Sequence, residues 1–548
     1  MTAQGGVRPG GLPNLGGLPL RRIGVAAALA LGLLLVLQQL AERLGETESP
    51  LGYGILVLGL GLGVAVFYGI WRTTRVGVLI WIVAALFSVT LGGTGSVDRL
   101  AFAALASGWF IGIATGLQPL RRFGMPEALM VLFLLVHVIS AVAPHALDET
   151  TSLPATVLIV NAAFLPLAAY VIASQSLTDA RSIRLFLWFL VWLGLYYAVV
   201  TIFQRFGLEQ LVFPRQITDP GLGVNPERSR GPLLNSAADG VLMVMAFAAA
   251  LFLGQQRGIR FRLFALFVAI LLPVGIFTTQ TRAIYLAAAI VVVGGGMFAA
   301  GYRRWYLLLL GTAVAVVGAN FRTFLSADRT QGGVTSTSEI ESRLNDWATA
   351  AWAFRNEPAF GWGIARFPEV NTVHHQAWPG IDWQLGWGYL SHNTHLAFAA
   401  EFGAVGLILW VGILASILAV TIRAYRRLPA RGIVSRGFVL AFWLSYTGWI
   451  LNAAVIDMRL FVAINAVVFV WAGIIAGLAD MDRHALARLN REAGGQREVV
   501  GLPEDVLRTP PTPDGGAGGG PRAPDGGAGG GPDADGGPGR WGPLPARP

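Results

Sequence analysis

Four arginines of this 548-residue chain stand where they could hold an anion. Arg228 and Arg230 lie in Arg-Ser-Arg-Gly-Pro-Leu-Leu-Asn, which ends at Asn235. Arg282 closes Thr-Thr-Gln-Thr-Arg, and Arg343 falls at the start of a helical periodicity. A guanidinium stays charged and offers a planar fork of donors that matches phosphate oxygens. Lysine is essentially missing from the chain, so the choice of arginine discriminates little, and each of the four can also be read as an arginine snorkelling to the headgroups. Of seven histidines, four cluster at His374, His375, His392 and His395. No His-Glu-x-x-His pattern accompanies them and the chain has no cysteine, so neither a metal nor another cofactor is expected. A general base suits His392, since imidazole titrates near neutrality and can take a proton from an attacking hydroxyl. A cap or an interfacial hydrogen bond is the plainer reading, and it weighs more for His395. Glu401 lies about half a turn out of phase with His392 on an ideal helix, so it is expected to pair with another helix.

The elements that must position these groups are membrane helices. The chain is 54% hydrophobic and 13% charged, and its apolar residues form blocks without charged outer faces. Such blocks run near 23–41, 51–71, 76–93, 100–117, 126–146, 153–174, 183–204, 233–253, 263–278, 283–300, 305–320, 395–421, 434–453 and 459–479. The reading is an all-α integral membrane protein, a polytopic bundle of about 12–14 transmembrane helices; the short blocks at 263–278 and 305–320 set the uncertainty in that count. The net charge of +9 sits in short turns, as in Arg72 and Arg75, Arg121 and Arg122, and Arg423 to Arg436. That is the pattern of arginines retained in the cytoplasm, and it argues against a nucleic-acid partner. The first block has no cleavage site after it and reads as a retained helix.

This arrangement makes 1–22 a cytoplasmic N-terminal segment and 23–479 the transmembrane domain, with long outer loops at 205–232 and 321–391. Residues 480–548 become a cytoplasmic, disordered, Gly/Pro-rich tail, in which Pro-Asp-Gly-Gly-Ala-Gly-Gly-Gly-Pro occurs at 513–521 and 524–532. The second outer loop holds six tryptophans and is expected to be folded. Ser338 and Glu341 fit a capping box, and Ile340, Leu344, Trp347, Ala351 and Phe354 recur at helical spacing, which predicts an amphipathic helix. The Asp-x-Asp sequences at 480–482 and 533–535 lie in the tail with no nucleotide-binding pattern around them, and no phosphate-binding Gly-rich loop for ATP is present.

Residues 342–363, with Arg343 and Pro-Ala-Phe-Gly-Trp-Gly, followed by Ser-His-Asn-Thr-His-Leu-Ala-Phe-Ala-Ala-Glu-Phe-Gly at 391–403, resemble the O-antigen ligase and polymerase superfamily. Thr-Gln-Thr-Arg at 279–282 is similar to that family's T-x-S-R step, and Gly231 to Asn235 more loosely to its R-x-x-G-x-x-x-N stretch. The resemblance spans about 228–410; the first helices share only hydropathy, and the tail has no counterpart. It implies a multi-pass protein of the bacterial inner membrane with both termini cytoplasmic and the loop periplasmic. It also implies metal-independent transfer of a polysaccharide from an undecaprenyl diphosphate-linked donor to an acceptor hydroxyl. By analogy Arg282 and Arg343, with Arg228 and Arg230, hold diphosphate and His392 activates the acceptor, supported by Asn393, Glu401, Asn235 and His395.

The leading expectation is an O-antigen ligase acting on lipid A-core. A polymerase would use a second lipid-linked glycan as acceptor, and a protein O-oligosaccharyltransferase a serine-bearing peptide. A transporter of lipid-linked glycan should show two related halves with broken helices, and no internal repeat of that kind is visible.

Overall fold

The computed structural model describes residues 73–87, 96–116, 118, 120–142, 154–223, 228–256, 258–299, 303–326, 334–335, 337–382 and 390–492. Its helices are α1 Thr74–Phe87, α2 Ser96–Ala114, α3 Met125–Val142, α4 Ala155–Ser176, α5 Ala180–Arg205, α6 Ser236–Leu253, α7 Ile259–Thr278, α8 Arg282–Phe298, α9 Arg303–Ala319, α10 Ser338–Asn356, α11 Phe367–Val373, α12 Thr394–Arg427, α13 Arg436–Ala453, α14 Val462–Ala479 and α15 Arg483–Glu492. No strand occurs among the described residues. Every predicted span from 76–93 onward coincides with one of these helices, while those at 23–41 and 51–71, the segment 1–22 and the tail beyond 492 lie outside the described residues. Helices α3 to α7, α12 and α14 are long and apolar enough to cross a bilayer, and α1 and α8 are apolar but shorter. The protein is an all-α polytopic membrane protein.

Helix α14 is buried along its whole length and α6 almost so, which makes them the centre of the bundle. Between membrane helices the hydrophobic effect gives little drive, so close backbone approach matters. Gly473 and Gly477, one turn apart on α14, provide it: a Cβ on either would come within 2.4 Å of the carbonyl oxygens of Tyr170 and Ser174 on α4. Turns predicted to share one side do meet. Arg121 donates to the Gly477 carbonyl at 2.6 Å and Arg427 to those of Ala479 and Met481, so two guanidiniums cap the carbonyl end of α14.

After Asp480 the chain differs from the predicted tail. Helix α15 forms there because Leu486 and Leu489, three residues apart, are both buried, and the Asp482 side chain accepts from the Ala485 amide at 2.6 Å.

Helix α12 spans 34 residues and is broken at Gly403, where φ is 62° and ψ −157°. The turn between α10 and α11 fills the break. Trp362 and Gly363 donate their amides to the carbonyls of Ala400 and Glu401 at 2.9 Å each, and the amides of Ala404 and Val405 donate to Pro358 and Ala359 at 2.7 and 3.2 Å. A Cβ on Gly403 or on Gly361 would stand 2.4 Å from the opposite backbone, and both residues have positive φ, so each position admits only glycine.

Glu401, fully buried, fastens the same junction. It accepts from Arg459 in the turn before α14, and Arg459 is also bonded to Asp457 at 2.8 Å. Burial alone would loosen the proton on Arg459, but Asp457 and Glu401 outweigh it and hold its proton affinity above the ordinary value. Arg459→Leu leaves two carboxylates buried without their cation and should cost about 3–5 kcal/mol. A lower Tm of the purified chain in detergent checks this; an unchanged Tm would mean that the cluster does not hold the junction.

Candidate functional site

The loop between α5 and α6 ends in a compact turn. Asn235 caps α6 by accepting from the amides of Ala237 and Ala238 at 3.1 Å each, and its own amide donates to the Arg230 carbonyl. The buried Asp239 carboxylate accepts from the Leu233 amide at 3.1 Å, and Gly231, with φ 55°, passes so near it that a Cβ would lie 2.7 Å from an oxygen. This turn sends Arg228 and Arg230 in different directions of use. Arg228 pairs with Glu339 at the start of α10. Arg230 is buried, its terminal nitrogens donating to the carbonyls of Leu222 and Asp219.

Thr281 stands at the N-cap of α8, so Arg282 is its first helical residue, and its guanidinium donates to the Val334 carbonyl at 2.8 Å. Arg343 comes from α10. Burial lowers its proton affinity first, and the charges of Arg282 and Arg228 lower it further against the pull of Asp346. Three guanidiniums from three separate segments therefore share one electrostatic neighbourhood.

Helix α10 departs from its predicted register. Thr337, not Ser338, is the N-cap and makes no side-chain cap bond; this puts Ile340 where the capping box needs Glu341. The predicted apolar face is only half-buried and Ile340 is 44% exposed. The buried face consists of Asn345, Asp346, Thr349, Ala350 and Ala353. It is polar because it holds irregular backbone: Asn345 accepts from the Trp378 amide at 2.7 Å and donates to the Asp382 carbonyl at 3.1 Å, and Thr349 accepts from the Gln376 amide at 2.9 Å. Of the loop tryptophans, Trp352 stacks with both Trp362 and His374, and Trp383 and Trp387 lie outside the described residues.

Asp346 was not visible as a site residue, and it organises the histidines. One oxygen lies 2.9 Å from His392 Nδ1 and the other accepts from Asn371 Nδ2 at 3.0 Å; Asn371 Oδ1 in turn lies 2.9 Å from His375 Nδ1. His375 is held below the usual histidine range, chiefly by burial and against Asp346. His392 is not on α12. It precedes the N-cap Asn393, whose side chain accepts from the amides of His395 and Leu396, and its φ is 47°. A left-handed conformation at a non-glycine residue persists only where its surroundings impose it. His395 lies on α12 and accepts from Trp410 Nε1 at 3.0 Å. Glu401 pairs with Arg459 of the turn before α14, and because His392 precedes α12 the phase expected from one shared helix does not apply. The four histidines are thus directed to a tryptophan stack, Asn371, Asp346 and Trp410, not to one another.

In the neutral tautomer whose Nδ1–H donates to Asp346, the His392 lone pair stands on Nε2, the arrangement a general base needs. Residues 266–411 match the family model described as O-antigen ligase. The chain carries an O-antigen ligase domain. That domain runs from α7 into α12 and contains Arg282, Arg343, Asp346, His392, Asn393, His395 and Glu401; Asn235, Arg228 and Arg230 lie before it. No curated protein matches the chain. Similarity to that family over these residues implies lipid-linked glycan substrates in a membrane.

Asp346→Asn keeps the shape but replaces the anion by an amide. Transfer by the O-antigen ligase domain should then fall roughly 10²-fold, inside the range general-base catalysis supplies, with KM changed far less. Assay of kcat and KM on purified variants decides it, and a loss confined to KM would assign Asp346 to binding.

Proposed function

We propose that the chain moves a polysaccharide from undecaprenyl diphosphate to an acceptor hydroxyl on the periplasmic face of the bacterial inner membrane, as an O-antigen ligase joining glycan to lipid A-core. What supports the reading is that Arg343 feels the charges of Arg282, Arg228 and Asp346, and that Asp346 in turn lies 2.9 Å from His392, so cations that suit an anion and a histidine that suits a base are linked through one side chain.

The chemistry follows from these groups. His392 Nε2 takes the proton of the acceptor hydroxyl as its oxygen bonds to the anomeric carbon of the donor sugar. The bond from that carbon to the diphosphate oxygen breaks, and undecaprenyl diphosphate leaves with the electron pair. Guanidiniums whose like charges act on one another favour charge building on the leaving oxygens, so it is stabilised most as the bond breaks, and this lowers the barrier rather than only KM. Arg230, committed to the loop carbonyls, stands outside this grouping, and Asn235, Asn393 and Glu401 hold the backbone that carries it.

Complementation of a deletion strain tests the reading. His392→Ala, Arg282→Ala and Arg343→Ala, each present in the membrane at the wild-type level, should leave lipid A-core uncapped and accumulate long carrier-linked polymer. Accumulation of single repeat units would make the chain a polymerase, and unaltered surface glycan would remove the site assignment.

A further inference from the structure

Asp346 stands between two cationic claims. On α10 it lies three residues after Arg343, the spacing at which opposite charges pair along a helix, and Arg343 is near enough to feel its charge. A carboxylate that turned to Arg343 would leave His392 without its partner and occupy the guanidinium with an anion of the chain's own. That pair does not form. Arg343 makes no ion pair or hydrogen bond among the described residues, and both oxygens of Asp346 are engaged elsewhere.

Asn371 is what engages it. Fully buried in α11, it donates from Nδ2 to Asp346 Oδ1 at 3.0 Å, which leaves Asp346 Oδ2 at 2.9 Å from His392 Nδ1. A carboxylate only accepts, so Asn371 must present its amino side to Asp346 and its Oδ1 to His375 Nδ1, 2.9 Å away. His375 therefore carries a hydrogen on Nδ1. Each bond in the row then has a direction: His375 donates to Asn371, Asn371 donates to Asp346, and His392 donates to Asp346 from the other side. The anchor itself is fixed, since Phe367 and Val370 of the same short helix are fully buried and the Phe367 amide donates to Glu401 at 3.4 Å. Asp346 cannot draw Asn371 after it.

We propose that Asn371 and His375 are positioning residues that keep Asp346 off Arg343, so that the carboxylate stays with His392 and the guanidinium stays open to the carrier diphosphate. The part played by the diphosphate rests on the transferase reading. One held oxygen thus keeps two opposite charges of the site from cancelling, and both the base and the anion contact depend on it.

Calorimetric binding of undecaprenyl diphosphate to the full-length chain in lipid nanodiscs, with kcat measured alongside, tests this. Asn371→Leu frees the carboxylate and should weaken binding about tenfold, the worth of one charge-assisted contact, while also lowering kcat. Asp346→Asn has no anion to close on Arg343 and should bind at least as tightly as the wild type. The double variant Asp346→Asn/Asn371→Leu decides between a positioning and a merely structural role, since it should bind as Asp346→Asn does. Loss of binding from Asn371→Leu in both backgrounds overturns the proposal, and so does wild-type binding by Asn371→Leu alone. Where Asn371→Leu does not fold, His375 serves instead: His375→Leu should lose binding in the same direction, and His375→Asn, whose amide donates from near the place of Nδ1, should keep it. Equal behaviour of those two variants overturns the proposal. Arg343→Ala separates the underlying reading. Wild-type binding there means that Arg343 holds no diphosphate, and the transferase assignment falls together with the proposal; loss there but not in Asn371→Leu removes the positioning role alone.

Discussion

A broken membrane helix exposes amides and carbonyls that hydrocarbon cannot hydrate, and each such group left bare costs several kcal/mol. Helix α12 breaks at Gly403, and the 358–363 turn supplies the missing partners as four backbone hydrogen bonds. Two sequence features that lie forty residues apart are thus halves of one joint. The outer loop follows from it: the turn fixes the end of α10 through Trp362 Nε1 on the Ala353 carbonyl, and Phe367 at the start of α11 reaches Glu401. Thr394 clamps the beginning of α12 to Ile456 and Met458. His392 is held between two fastened segments, which is how its backbone keeps an unfavourable conformation.

Arginine clustering pulls the other way. Burial and the charges of Arg282 and Arg228 lower the proton affinity of Arg343, burial and Arg228 lower that of Arg282, and Glu339 and Asp346 offset part of this repulsion. The rigid joint can bear that repulsion because its own energy comes from backbone pairing and a buried ion cluster, not from the site. Stability and electrostatic tension are in separate parts of the loop.

The membrane helices were legible because hydropathy is local: an apolar block near the ~20 residues of a crossing declares itself without knowledge of its neighbours. The arginines and His392 were legible by type and motif. Asp346 was not, since its partner is 46 positions away, nor was Arg459, which is 58 from Glu401. Each left a faint signal: Asn345, Asp346 and Thr349 share a helical face, and Arg459 is a lone cation between apolar blocks. The face of α10 was misread for a physical reason. Periodicity assumes that a helix buries its apolar side, whereas α10 packs against irregular chain that offers amides and carbonyls, so its polar side is the one enclosed.

Glu401 lies inside the ligase domain as matched, but the cation that neutralises it is Arg459, which lies outside. The domain is therefore not portable by its own boundaries. A graft of 266–411 onto another bundle would carry a buried carboxylate without its counter-charge, so recombination within such proteins has to move the Asp457-Met458-Arg459 turn together with the motif segment, or lose both.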